Sequence, residues 1–307
     1  MKRVLPLIAA ALLAACQAPP AKADDATLTE RTLAHGGETR SYEVFVPPQH
    51  RDNLKGLVVA LHGGLGNGAI MAKQSGFNAA ATRHGFAVVY PDGIGRGWNA
   101  GTCCGKPAER NIDDVGFIKA LVAVERERLG LSADKVFGTG FSNGAMLLHR
   151  IVCEAPGTFA AIAPVSGGPM VEQCKQPKPV AALFIQGRED NRIPWDGGVF
   201  DGTLRQSMAN VVNQFASRNG CETEATVVRE EAGLKCQKRV GCRSDVQWCG
   251  VDKVGHQWPG GKAYAPRLLG PNTDRYNASE GIALFFKAQL ANLHAAPART
   301  AVRAGDH

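Results

Sequence analysis

The chain has 307 residues, 44% of them hydrophobic and 21% charged, which is enough apolar content for a large core and carries no collagen-like or disordered bias. The formal charge of +7 is dispersed, with no basic run interleaved with aromatics, so nucleic-acid binding is not implied. Nine cysteines point to an oxidising compartment.

Residues 1–23 read as a targeting segment. Lys2 and Arg3 precede the apolar run VLPLIAAALLAA, which is too short to span a membrane. Leu13-Ala14-Ala15-Cys16 resembles a bacterial lipobox, and Ala21-Lys22-Ala23 offers an ordinary cleavage site. The lipobox follows the apolar run directly and is preferred, which would limit membrane contact to a lipid on Cys16. Either site exports the mature chain, and without Cys16 eight cysteines remain for four disulfides. Proximity along the chain suggests Cys236 with Cys242 and Cys221 with Cys249, leaving Cys103 and Cys104 to take Cys153 and Cys174 in either order. No C-x-x-C or H-x-x-x-H spacing is present, so no metal site is expected, and with neither a G-x-x-x-x-G-K-[ST] nor a G-x-G-x-x-G pattern no organic cofactor is expected either.

TLTERTL and TRSYEVFVP around the turn-like HGGE suggest a hairpin. GLVVALHGG then reads as a buried strand, AIMAKQSGFNAAATRHG as one helix closed by Gly85, and FAVVYPDG as a second strand. Asp113-Asp114 opens a helix whose Val115, Ile118, Leu121, Val122 and Leu129 share one face. The strands KVFGTG, FAAIAPVSG and VAALFIQG follow, then a helix from about Leu204 to Arg218 and the strand-like ATVVRE and SDVQWCGV. A last helix runs from about Glu280 to Leu290, with Asn277 and Glu280 as a capping pair. Buried β-branched strands alternating with helices specify an α/β fold: a mainly parallel sheet covered on both faces, with sites beyond the carboxyl ends of strands. Residues 24–293 are read as one catalytic domain and 294–307 as a loosely attached tail.

The chemistry centres on Gly140-Phe141-Ser142-Asn143-Gly144, a G-x-S-x-G turn between a strand and a helix. Such a turn strains the serine backbone and presents the hydroxyl at a helix N-terminus, where developing negative charge is favoured. A serine nucleophile needs a base oriented by a carboxylate, and with this turn the chain order is serine, acid, histidine. Of the downstream histidines, His149 lies within the next helix and His294 and the terminal His307 in the tail, which leaves His256 in VGHQWPGG. Glu189 and Asp190 follow the strand VAALFIQG, with Asp196 and Asp201 farther on. The backbone of Asn143, with that of Gly64 and Leu65 in LHGGLGNG, can hold an oxyanion.

Together LHGG, GWNAGTCCG, IDDVGFI, GFSNGAM, GREDNRIPWDGG and GHQWPGG resemble the secreted polyhydroxybutyrate depolymerase and feruloyl esterase group of the α/β-hydrolases, from roughly Leu57 to Phe286. The resemblance implies the α/β-hydrolase fold, Ser142 as nucleophile and His256 as base. Its pattern G-x-x-D-x-x-[IV]-P falls on Gly187, Asp190, Ile193 and Pro194, which selects Asp190 as the acid. It also places Trp98 and Trp258 at aromatic positions that line the substrate cleft. A secreted or lipid-anchored serine carboxylesterase follows, acting on hydroxyalkanoate oligomers or, alternatively, on feruloyl or acetylxylan esters. The reading from another class is a non-catalytic envelope lipoprotein that uses the fold for binding. No polymer-binding segment is recognised after the catalytic region, so soluble or oligomeric esters are expected rather than crystalline polymer.

Overall fold

The computed structural model describes residues 28–171, 174 and 177–295. The expected signal segment with Cys16, and residues 296–307 of the expected tail, lie outside them.

Strands β1 (Thr29–His35) and β2 (Glu38–Phe45) form the expected antiparallel hairpin. The inner strands are β3 (Gly56–Leu61), β4 (Phe86–Pro91), β5 (Val136–Phe141), β6 (Ala161–Val165) and β7 (Ala181–Gly187), and every residue in them is buried. A short outer hairpin, β8 (Gly198–Phe200) and β9 (Thr203–Arg205), precedes β10 (Ala225–Glu231), β11 (Leu234–Arg239) and β12 (Val246–Val251). Ten strands make one sheet in the order β1-β2-β4-β3-β5-β6-β7-β12-β11-β10, parallel from β4 to β12 and antiparallel at both ends. The outermost β10 carries Arg229, Glu230 and Glu231, and charge on an edge discourages pairing with other chains.

The helices are α1 (Gly68–Ser75), α2 (Phe77–His84), α3 (Gly105–Glu109), α4 (Asp114–Arg128), α5 (Asn143–Glu154), α6 (Met208–Asn219), α7 (Pro266–Leu269) and α8 (Ala278–Ala295). Alternation along each strand feeds two cores. Leu57, Val59 and Leu61 pack with Ile118 and Leu121 of α4, Leu147 and Ile151 of α5, and Phe215 of α6. Val58 and Ala60 pack with Met71 of α1, Phe77 of α2 and Phe286 of α8. Each fully buried side chain of this size contributes about 1.5–3 kcal/mol, so both faces of the sheet are held and its strand ends are fixed. None of the described helices is long and apolar enough to cross a membrane.

Several expectations change. The single helix expected over 69–85 is two, broken where Gly76 takes φ 60 and caps α1 in a left-handed conformation. The helix expected from Leu204 starts at Met208, where the Ser207 hydroxyl accepts from the Asn210 N–H; Leu204 and Arg205 belong to β9. The last helix continues through His294 to Ala295, so the expected tail begins as helix.

The disulfides are Cys103–Cys104, Cys153–Cys174, Cys221–Cys242 and Cys236–Cys249, and no expected pairing is formed. The segment expected to close a small Cys236–Cys242 loop is instead strand β11, whose register puts Cys236 opposite Cys249 of β12. That leaves Cys242, beyond the strand, to tie back to Cys221 at the end of α6.

Candidate active site

Ser142 stands between β5 and α5 with φ 52 and ψ −118, the strained conformation expected of the turn. Two glycines permit it. A Cβ on Gly144 would lie 2.5 Å from the carbonyl oxygens of Leu61 and His62, and one on Gly140 would lie 2.8 Å from the Gly144 carbonyl carbon. The Ser142 N–H donates to the Val165 carbonyl at 3.0 Å, anchoring the turn to the end of β6.

His256 lies on the loop after β12, where its N–H donates to the Leu269 carbonyl and its ring packs 4.8 Å from that of Phe141. Its Nε2 is 2.8 Å from Ser142 Oγ and its Nδ1 is 2.8 Å from Asp190 Oδ2. An ionised carboxylate only accepts, so Nδ1 donates to Asp190 and Nε2 is left to accept from the serine hydroxyl. Asp190, 3% exposed on the loop after β7, is fixed through Oδ1 by the N–H groups of Arg192 and Ile193, each at 2.9 Å. The structure therefore joins Ser142, His256 and Asp190 in one line of hydrogen bonds. His149 is elsewhere, buried against Phe184 and Phe215.

The line opens into a cavity of about 430 Å³. Gly63, Gly64 and Leu65, Thr102 with the Cys103–Cys104 pair, and Phe200, Arg205, Tyr264 and Leu268 are among the residues that line it. Leu65, Tyr264 and Leu268 are exposed, which gives the entrance an apolar edge.

The loop candidates for an oxyanion separate on geometry. The Leu65 N–H donates to the Arg96 carbonyl at 2.7 Å, so the expected donor role of Leu65 is corrected: its N–H is occupied, although the residue lines the cavity. The Gly64 N–H has no acceptor among the described residues. Asn143 is the first residue of α5, where a helix leaves N–H groups without an internal acceptor.

The two tryptophans are also corrected. Both are fully buried and neither lines the cavity. The Trp98 indole packs against the His62 ring, tilted, with centroids 4.7 Å apart, and donates to the His62 carbonyl at 2.9 Å. The Asn143 side chain accepts from the Trp98 N–H and donates to the Trp98 carbonyl, clamping the 98 loop to the serine turn. Trp258 donates to Ser279 Oγ, which donates to the Ser75 carbonyl, pinning the His256 loop to α8 and α1. An indole's size and polar edge suit this bracing as well as they suit a cleft, so residue type alone did not distinguish the two.

Sequence reasoning missed the Asn143 clamp and His62. The His62 Nδ1–H donates to the Gly63 carbonyl and Nε2 accepts from the Gly93 N–H, so the ring spans two loops as a neutral group. Burial pushes its pKa down to about 4, and burial also pushes His149 to about 3, with the Arg218 charge adding to the effect. Both values lie below the ordinary 6.5, so between pH 6.5 and 4 the unfolded chain binds protons that the folded chain refuses. Their contribution is complete above pH 6.5 and is lost as pH falls, by roughly 2–3 kcal/mol each at pH 4.5. Urea unfolding at pH 7 and 4.5 should show this loss, and His149→Phe should remove about its own share of it. A pH dependence equal to that of wild type would contradict the account.

Among the described residues, no group of three or more His, Cys, Asp and Glu side chains is placed to hold a metal ion. The doubly covered, mostly parallel sheet with a serine, acid and histidine beyond its strand ends defines an α/β-hydrolase of the serine type. The Esterase PHB depolymerase family model matches residues 40–189. NocK of Nocardia uniformis subsp. tsuyamanensis, named as an esterase, is 31% identical over 293 residues, covering 85% of this chain and 83% of the relative. A protein of Aspergillus niger named as a feruloyl esterase C is 27% identical over 234 residues, covering 72% and 79%. The chain belongs to the Esterase PHB depolymerase family, and ester hydrolysis is its activity. Among solved structures, an acetyl xylan esterase from Aspergillus awamori shares the fold with a TM-score of 0.56 at 19% identity, covering 75% of this chain and 94% of that one. The LpqC poly(3-hydroxybutyrate) depolymerase from Bordetella parapertussis does so with a TM-score of 0.51 at 15% identity, covering 75% and 85%. Membership in a family of esterases sets aside the reading as a non-catalytic binding protein.

Proposed function

We propose that the protein is an exported serine carboxylesterase that works through an acyl-enzyme. The observation that carries this is the unbroken line Ser142 Oγ, His256 Nε2, His256 Nδ1, Asp190 Oδ2 at the wall of the cavity. Ser142 Oγ attacks the ester carbonyl as its proton passes to His256 Nε2. The N–H groups of Asn143 and Gly64 hold the oxyanion. His256 returns the proton to the departing alkoxide, and Asp190 keeps the imidazole oriented and stabilises its charged form. Water then repeats the cycle on the acyl group and frees the acid. These steps draw on the chain's own residues throughout.

The preferred substrates are 3-hydroxybutyrate oligomers and related polyesters, supported by the family and by the apolar cavity edge at Leu65, Tyr264 and Leu268. Feruloyl or acetylxylan esters are the alternative, which the relatives' names favour. Four disulfides support an oxidising compartment outside the cytoplasm, with Cys16 as a candidate lipid anchor. The test is a panel of p-nitrophenyl butyrate, 3-hydroxybutyrate trimer, methyl ferulate and acetylated xylan. The highest kcat/KM is expected on the trimer, and a preference for methyl ferulate or acetylated xylan would establish the alternative.

A further inference from the structure

Arg205 is an unusual residue to find in an ester-binding cavity. It lies at the end of β9, is 7% exposed and lines the cavity that holds Ser142. An arginine this deep is ordinarily paired with a carboxylate, because a buried charge without a partner is costly. Among the described residues none forms an ion pair with it. Its Nη1 faces the Met170 sulfur at 3.2 Å, a weak acceptor, and its Nε has no acceptor among the described residues. Arg192 lines the same cavity, its guanidinium 5.2 Å from the Phe200 ring centre and likewise outside any ion pair among the described residues. Asp201 is the carboxylate on this lining, and it is exposed on the turn of the β8–β9 hairpin. His62 is neutral through burial, so the fixed charges facing the cavity are two guanidiniums against one solvated carboxylate.

We propose that Arg205, supported by Arg192, binds a free carboxylate carried by the ester substrate, so that the site selects anionic esters over neutral ones. This deepens the esterase reading and rests on it. A guanidinium largely withdrawn from water and lacking a strong acceptor among the described residues gains most from a carboxylate that arrives with the substrate, because charge-assisted hydrogen bonds strengthen where water is excluded. Two kinds of ester carry that group: half-esters of dicarboxylic acids bear it on the acyl side, and hydroxy-acid oligomers bear it on the leaving alcohol.

The experiment compares kcat/KM for p-nitrophenyl hemiglutarate and for the 3-hydroxybutyrate dimer, each against its methyl-capped neutral form. Wild type should favour the free acid at least tenfold in one pair, and that pair identifies the side on which the carboxylate sits. Arg205→Met should reduce the preference by tenfold or more, with Arg205→Lys intermediate. Glutarate should inhibit wild-type hydrolysis of p-nitrophenyl butyrate competitively while dimethyl glutarate does not, a readout that needs no variant. Equal or better turnover of the neutral form in both pairs, or a preference unmoved by Arg205→Met, overturns the proposal. If wild type hydrolyses none of these esters, the esterase reading fails first. Glutarate binding by calorimetry then decides the carboxylate site alone, with binding lost in Arg205→Met supporting it and no binding to wild type overturning it.

Discussion

Ser142→Ala is expected to lower kcat/KM on p-nitrophenyl butyrate by at least about 10³-fold and as much as 10⁶-fold, the range over which removal of a triad nucleophile acts. The substitution takes away the hydroxyl oxygen 2.8 Å from His256 Nε2, so no acyl-enzyme can form there. Residual turnover would come from oxyanion stabilisation by the Asn143 and Gly64 N–H groups acting on attacking water. The fold should survive, because the turn is held by backbone: the Ser142 N–H to the Val165 carbonyl, the Met146 N–H to the Ser142 carbonyl, and the two glycines that admit the close approach. Circular dichroism with thermal unfolding checks this alongside the kinetics. A kcat/KM within tenfold of wild type in a folded variant would remove Ser142 from the chemistry.

Asp190→Asn should cost roughly 10⁴-fold in kcat through the proton on the imidazole rather than through lost packing. Asp190 Oδ1 accepts from two backbone N–H groups, so an asparagine must leave its carbonyl oxygen there. Its amide nitrogen then faces His256 Nδ1 and donates to it, which forces the ring proton onto Nε2. There it points at the serine hydroxyl, and the base can no longer accept. Raising the pH should restore part of the rate by aiding ionisation of the serine, a signature that a merely loosened loop would not give. Asp190→Ala should also lose the acceptor for the Arg192 and Ile193 N–H groups and be the less stable of the two variants. Equal kinetics for Asp190→Asn and wild type would show that the carboxylate does not orient His256.

The features legible in the sequence were those written locally. Apolar β-branched runs such as GLVVAL become strands because both faces of the sheet are covered, and alternation within them sorts Val58 from Val59 into separate cores. The serine turn was legible because its glycines sit at fixed spacing around Ser142. Asp190 and His256 fall on loops after apolar strands, and the sheet order carries those strand ends to one edge. What depends on register was not legible. Cys236 pairs with Cys249 through the β11–β12 ladder, a partnership invisible to spacing, and Cys103 with Cys104 leaves Cys153 to Cys174.

The β8–β9 hairpin that carries Arg205 is not legible in the sequence because its strands are three residues long and Val199 and Leu204 are exposed, so no burial period marks them. The bracing roles of Trp98, Trp258 and the Asn143 amide arise from contacts between loops far apart in sequence. The Leu65 N–H was expected at the oxyanion and is instead bound to Arg96, a contact set by how the 93–97 turn packs over the glycine loop.

In the proposed mechanism Ser142 is an activated nucleophile served by His256 and Asp190. The most direct test is stoichiometric labelling with a serine-directed fluorophosphonate, followed by peptide mass mapping, with Ser142→Ala and Asp190→Asn alongside. One adduct per chain is expected on the peptide containing Ser142, none in Ser142→Ala, and strongly slowed labelling in Asp190→Asn. An adduct on another residue, or no adduct in a wild-type protein that hydrolyses p-nitrophenyl butyrate, would contradict that mechanism.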